Sequence, residues 1–178
     1  MTTVRYCSAC GAGLPVAPPV TCAACGTSHW SNPKPCANAV IVERQRVLLT
    51  QRAHSPWKGA WCSPGGFCER GEHPIETVVR EALEETGFRI RVTGYLGVWV
   101  DDYVDGPDHR ENEVINVAYY LAETMGEARG DVDRSEVSDL GWFGWDELPS
   151  PLAPPGTLAA VLQAARNAGS TPLLDRPQ

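Results

Sequence analysis

Between Pro64 and Phe88 glycine, arginine and glutamate fall at a spacing that few folds can use. The run is Pro64-Gly65-Gly66-Phe67-Cys68-Glu69-Arg70-Gly71-Glu72, seven further residues, and then Arg80-Glu81-Ala82-Leu83-Glu84-Glu85-Thr86-Gly87-Phe88. Its second half predicts a helix over 74–86, with Pro74 at a first-turn position and Gly87 as the stop signal. Ile75, Val78, Val79, Ala82 and Leu83 recur at i, i+3, i+4, i+7 and i+8, which predicts one apolar face. Glu81, Glu84 and Glu85 share the polar face within one turn. Such carboxylates repel by a few tenths of a kcal/mol per pair, roughly. Alone, they read as a solvated acidic face stitched by Glu76–Arg80 and Arg80–Glu84 pairs. The Gly-Gly loop that enters the helix supports another reading: it lets the backbone approach a cation, and carboxylates are the hard oxygen ligands suited to Mg²⁺ or Mn²⁺.

Strand signals surround this segment. Ala39–Val42 and Val47–Thr50 predict a hairpin around Glu43-Arg44-Gln45-Arg46, followed by a Trp/Gly/Pro loop from Ser55 to Gly66. Tyr95–Val100, Val114–Ala122 and Val137–Phe143 predict further strands, and the polar, Gly/Pro-punctuated interval Asp101–Asn112 a loop on the ligand side. A last helix is expected over about 157–168, with Leu158, Val161, Leu162 and Ala165 on one face and a frayed tail beyond.

The first 30 residues are different. They have no hydrophobic periodicity but contain a repeat, Cys7-Ser8-Ala9-Cys10-Gly11 and Cys22-Ala23-Ala24-Cys25-Gly26. Two such hairpin tips bring four thiolates into a tetrahedron, and the glycines permit the φ > 0 turn beneath each pair. Zn²⁺ suits this set best, in a structural role, because metal binding then replaces the core the segment cannot close. No apolar run approaches the ~20 residues that cross a bilayer, and Met1 to Cys7 has no apolar signal core. A cytoplasmic protein without membrane contact is the expectation, and there cysteines read first as metal ligands rather than disulfides. Cys36, Cys62 and Cys68 are then left as packing thiols. His29, His54, His73 and His109 receive no role.

The segment from Gly66 to Phe88 meets G-x5-E-x7-R-E-U-x-E-E-x-G-U (U hydrophobic) at every position and resembles the Nudix box. The flanks Val47 to Arg52, Trp57 to Trp61 and Gly141 to Leu148 look like the rest of that domain. The resemblance implies an α/β fold, an α/β/α sandwich with a mixed sheet, here preceded by a small zinc ribbon. The chain would divide into ribbon and linker (1–35), Nudix domain (36–150) and C-terminal helix and tail (151–178). By position, Glu81, Glu84 and Glu85 would hold Mg²⁺ together with the Gly65 carbonyl, Arg80 would orient a box carboxylate, and Glu72 would brace the loop. Some relatives place an additional metal-binding or proton-accepting glutamate where Glu136 stands. Arg52 is a candidate phosphate contact, with a surface salt bridge as the alternative. Trp57, Trp61 and Trp99 are either stacking platforms for a base or ribose or fillers of the core.

Charge is unevenly placed. Residues 1–38 carry +2 and the remainder −9. An acidic body repels nucleic acid and phosphate ligands unless metal ions intervene, so a nucleotide-type small molecule is expected and nucleic acid is not. Nudix enzymes hydrolyse a nucleoside diphosphate linked to another moiety. A zinc ribbon ahead of the box resembles the NADH, FAD and ADP-ribose pyrophosphatase groups, in which a homodimer is common. NADH pyrophosphatases carry S-Q-P-W-P-F-P downstream of the box, where this chain reads Tyr103-Val104-Asp105-Gly106-Pro107-Asp108-His109-Arg110. An NTP-sanitising or RNA-decapping enzyme, or a non-catalytic sensor module, are the other readings the sequence leaves open.

Overall fold

The computed structural model describes residues 5–104, 113–127 and 130–168. The loop expected over Asp101–Asn112 falls mostly outside them, as do His109 and the tail beyond Ala168. In the N-terminal segment β1 (Val20–Thr21) and β2 (Ser28–His29) pair antiparallel. Among residues 5–30 only Cys7, Pro18 and Cys22 are buried, so no apolar core exists there.

The remaining strands form one seven-stranded mixed sheet: β3 (Lys34–Glu43), β4 (Arg46–Arg52), β5 (Trp61–Cys62), β6 (Gly65–Phe67), β7 (Ile90–Tyr103), β8 (Glu113–Thr124) and β9 (Val137–Gly144). The order is β5-β4-β3-β8-β7, with β6 added to β3 and β9 to β4. β3 and β8 run parallel; every other pairing is antiparallel. Alternation of side chains makes two cores. Val40, Val47, Leu49 and Tyr119 face α2 (Thr157–Ala168) through Leu158, Val161 and Leu162. Ala39, Ile41, Leu48 and Ala118 face α1 (Pro74–Thr86) through Val78 and Ala82. Each of the larger apolar side chains buried this way contributes roughly 1.5–3 kcal/mol. The helices therefore lie on opposite faces of the sheet.

One detail of pairing positions everything that follows. β3 meets β4 only over Ile41–Glu43, while its earlier residues Cys36–Asn38 pair with β6. Past Leu48, β4 is bonded to β5 at Thr50 and Gln51, while β9 pairs with it along its whole length. The sheet thus opens between Asn38 and Thr50, and a cavity of about 460 Å³ occupies the opening.

Three expectations need correction. The interval 55–66 is not all loop, since Trp61–Cys62 and the first two residues of β6 are strand. β7 runs from Ile90 to Tyr103, well beyond Tyr95–Val100, because β8 offers it a partner along its whole length. The buried face of α1 overlaps the predicted apolar one only in part: Ile75, Val78 and Ala82 pack on the core, Val79 and Leu83 are exposed, and Glu81 and Glu85 are buried in their stead. Positions 78, 81, 82 and 85 form their own i, i+3, i+4, i+7 stripe, so the helix is rolled toward its carboxylates.

Candidate active site

α1 begins with a capping box. His73 Nδ1 accepts from the Ile75 N–H at 3.1 Å, and Glu76 Oε2 accepts from the His73 N–H at 3.0 Å. It ends at Gly87, in the left-handed region at φ +73, whose N–H donates to Leu83 O. His73, given no role by sequence, is thus the N-cap.

Gly65 and Gly66 lie against this helix. The Gly65 N–H donates to Glu85 Oε2 at 3.1 Å. A Cβ on Gly66 would fall 2.7 Å from Glu81 Cδ, and one on Gly65 would fall 2.5 Å from Asn38 Cα, with Gly65 at φ +153. Glycine is required at Gly65 by the neighbouring backbone, and at Gly66 its missing Cβ leaves room for the Glu81 carboxylate. Burial raises the affinity of both carboxylates for protons. It pushes Glu85 up to about 8 against the opposing Gly65 hydrogen bond, with the charges of Glu81 and Glu136 adding to the shift. Glu81 is raised chiefly by burial, with Arg80 opposing.

Glu136 reaches this pair from the far side. One carboxylate oxygen each from Glu81, Glu85 and Glu136 lies within 4.8 Å of the others, and Glu136 is exposed. The segment carrying Glu136 hangs from the end of α1: the Gly130 N–H donates to Gly87 O at 3.2 Å and the Asp133 N–H to Glu84 O at 2.9 Å. Three clustered carboxylates, two of them buried, are a donor set that suits a hard cation. Glu84 stands outside that trio. Its side chain is 52% exposed, and its carboxylate accepts from Arg80 Nη1 at 3.1 Å.

Arg80 is the hub that fixes the loop. It donates to both oxygens of Glu72 at 2.9 and 3.0 Å, to Glu81 Oε1 at 2.8 Å and to Phe67 O at 3.3 Å. Glu72 also accepts from the Thr77 hydroxyl and the Glu69 N–H. The Arg80 hydrogen bonds hold the Glu72 carboxyl down to about 2. Glu72 therefore braces loop and helix together as a permanently charged acceptor.

The same cavity is walled on its other side by Arg52, Trp57 and Tyr103. Arg52 donates through Nε to Pro56 O at 2.7 Å and through Nη2 to the Tyr103 hydroxyl at 3.0 Å. Its guanidinium lies 5.8 Å from the Trp57 ring and 5.7 Å from the Tyr103 ring. It makes no salt bridge with a carboxylate among the described residues. Trp57 takes a left-handed backbone at φ +60, a conformation rare for so large a residue. Trp61 and Trp99 behave differently: they pack on Phe143 and Tyr119 and fill the core. Cys36 and Cys62 are buried along the cavity floor, where burial pushes the Cys62 thiol up to about 11.

The sequence pattern of the NUDIX domain matches residues 32–162. The chain belongs to the Nudix family. Its box, Gly66 to Phe88, is the β6–α1 unit just described. Among curated proteins it is 31% identical over 163 residues to the NAD-capped RNA hydrolase NudC of Vibrio cholerae, covering 90% of this chain and 56% of that protein. It is 34% identical over 120 residues to the ADP-ribose pyrophosphatase of Methanocaldococcus jannaschii, covering 67% of each. The chain thus spans little more than half the length of NudC. A Nudix hydrolase structure from Nitrosomonas europaea superposes with a TM-score of 0.71 at 24% identity, covering 96% of both chains, which establishes the fold. The MutT NUDIX hydrolase of Burkholderia pseudomallei gives 0.63 at 32% identity, covering 75% of this chain and 98% of that one. Nudix proteins typically depend on divalent metal ions and act on nucleotide-type compounds.

Outside the Nudix domain the four predicted cysteines do converge. Cys7, Cys10, Cys22 and Cys25 bring their Sγ atoms within 4.8 Å of one another, a donor set that suits zinc. The two turns are built alike, with Gly11 N–H donating to Cys7 O and Gly26 N–H to Cys22 O, each at 2.8 Å. Gly11 and Gly26 adopt φ +74 and +75. His29, which sequence set apart from the cluster, has its Nε2 3.3 Å from Cys7 Sγ. Only a tertiary approach across 22 residues reveals that contact. Among the described residues no helix is long and apolar enough to cross a membrane.

Proposed function

We propose that the chain is a Mg²⁺-dependent pyrophosphohydrolase that cleaves the diphosphate of a nucleoside diphosphate linked to another moiety, such as a dinucleotide, ADP-ribose or a nucleotide sugar. The observation that carries this reading is the convergence of Glu81, Glu85 and Glu136 in one cavity with Arg52, Trp57 and Tyr103. Glu81, Glu85 and Glu136, with Glu84 and the Gly65 carbonyl at their edge, would hold the metal. When bound, divalent cations neutralise the diphosphate and acidify the attacking water.

The chain's own groups do the rest. Glu136, exposed and beside the buried pair, offers one carboxylate oxygen to the cluster, and its other oxygen accepts the proton of the water that attacks phosphorus. Arg80 fixes the Glu81 carboxylate, and Glu72 fixes Arg80, so the cluster is set before substrate arrives. Arg52 presents its remaining N–H groups to the phosphate farther from the carboxylates. Trp57 and Tyr103 give an apolar wall for the ring of the nucleotide. Of the readings left open by sequence for Arg52 and Trp57, their place on the cavity wall supports phosphate contact and stacking.

Attack on an NAD-capped RNA is the second reading, and the identity to NudC supports it. The −9 charge beyond residue 38 argues for free nucleotides instead. The test is a product assay with Mg²⁺ over NADH, ADP-ribose, FAD, UDP-glucose, a nucleoside triphosphate and NAD-capped RNA, run beside Glu81→Gln. The expected result is mononucleotide release from a free dinucleotide or ADP-ribose and a loss of at least ~100-fold in the variant. Activity confined to the capped RNA would favour the second reading; no activity, or an unimpaired variant, would refute the enzymatic one.

A further inference from the structure

We infer that His29 is a positioning residue of the four-cysteine site, whose ring N–H donates to the Cys7 thiolate and slows the loss of bound zinc. The two cysteine units are related by a shift of 15 residues, and their backbone bonding is nearly identical. Under that shift the counterpart of His29 is Leu14 and that of Thr27 is Ala12. Neither counterpart has a side-chain donor. Among the described residues, the side chains other than cysteine that approach these sulfurs belong to the second unit: the Thr27 hydroxyl 3.2 Å from Cys25 Sγ and His29 Nε2 3.3 Å from Cys7 Sγ.

The two contacts differ in reach. Thr27 touches the thiol two residues before it, whereas His29 crosses to the first unit, 22 residues away. Its backbone is fixed for this by β2, where His29 pairs with Val20 of β1. His29 is half-buried and Cys7 is 2% exposed, so solvent competes little for the bond. The four Sγ atoms form a mutually close set without the imidazole, which places His29 beside the cluster in contact with one of its members.

A zinc ion with four thiolates carries a net −2. An N–H···S bond withdraws part of that charge, orients the sulfur and ties the first turn to the second. Partners of this kind, when removed, typically cost 10–100-fold in metal affinity. Neutral imidazole suffices as the donor, so the role involves no change of charge.

The zinc-loaded chain is the material for the test, with zinc release to a chromophoric chelator as the readout. His29→Phe keeps a ring and removes the N–H; His29→Gln keeps a side-chain N–H at comparable reach. Release from His29→Phe is expected to be ~10–100-fold faster than from wild type, with His29→Gln close to wild type. Equal rates for wild type and His29→Phe, or equal acceleration by both variants, would overturn the inference. Cobalt substitution is the second readout. Wild type and His29→Phe are both expected to show the tetrahedral four-thiolate spectrum, and its loss in His29→Phe would overturn the inference by making the imidazole a ligand. None of these outcomes depends on the hydrolase reading, which the product assay tests separately.

Discussion

Gly65 and Gly66 are adjacent, yet a methyl group at each would meet different things. At Gly66 it would press on the Glu81 carboxylate, the movable end of a side chain; at Gly65 it would press on the backbone of Asn38 at a φ of +153. Gly66→Ala should therefore keep the fold, displace a ligand of the cluster and lower turnover at least tenfold, roughly one misplaced catalytic group's worth. Gly65→Ala should instead cost roughly 2–3 kcal/mol of stability. Thermal unfolding measured beside activity separates the two. Glu85 adds a pH dependence whose sign follows from its raised pKa. Below about 8 the carboxyl holds a proton in the metal-free fold, so Mg²⁺ must displace it, and affinity should rise with pH through that value. Without metal the same shift favours the folded state at a pH below the ordinary carboxylate value, 4.5, and that contribution is lost as pH rises through about 8. Calorimetric Mg²⁺ titrations and thermal melts in chelator, from pH 6 to 9, check both directions. Glu81, Glu84, Glu85 and Arg80 could be singled out through the resemblance of their segment to the Nudix box. Which two glutamates are buried could not, because α1 is rolled by contacts with β3 and β6 that no local pattern encodes.

α1 works as an element through both of its ends. Its N-terminus is closed by the His73 box, and Thr77 and Arg80 in its first two turns bind it to the loop through Glu72. Its C-terminus suspends the Gly130–Glu136 segment through Gly87 O and Glu84 O. A Cβ on Gly87 would run into the Gly130 carbonyl at a position already at φ +73. Gly87→Ala should thus destabilise by roughly 1–2 kcal/mol and also lower kcat by shifting Glu136, while leaving Mg²⁺ binding at Glu81 and Glu85 largely intact. A variant with lost stability but unchanged kcat would show that the suspension does not position Glu136. Both helices were legible in sequence because their periodicity and stop signals are local. The faces were legible for α2, where Leu158, Val161, Leu162 and Ala165 are all buried, and not for α1, where two acids take apolar places. β5 and β6 were missed because two- and three-residue strands exist only through their partners β4 and β3.

At the scale of the molecule, two parts are held together by unlike means. The sheet and its two helices bury conventional apolar cores on both faces, whereas residues 5–30 rely on four converging thiols. Chelator treatment of the zinc-loaded chain should unfold this segment and leave the cooperative unfolding of the Nudix domain in place, seen as rapid amide exchange confined to the first ~30 residues. The Cys-rich, acid-free opening of the sequence already marked where the four thiols lie. The opening of the sheet between β3 and β4 was not legible there, since it depends on which strands pair along their full length. That opening joins the carboxylates to the Arg52 wall and turns an acidic helix into one side of a cavity. The decisive measurement is the rate of AMP release from ADP-ribose as Mg²⁺ is titrated into wild type and Glu85→Gln. Wild type should turn over in proportion to bound Mg²⁺, and the variant should fall by ~100-fold or more with a weakened Mg²⁺ response. Turnover independent of Mg²⁺, or equal in the two proteins, would contradict a metal site built on Glu81, Glu85 and Glu136.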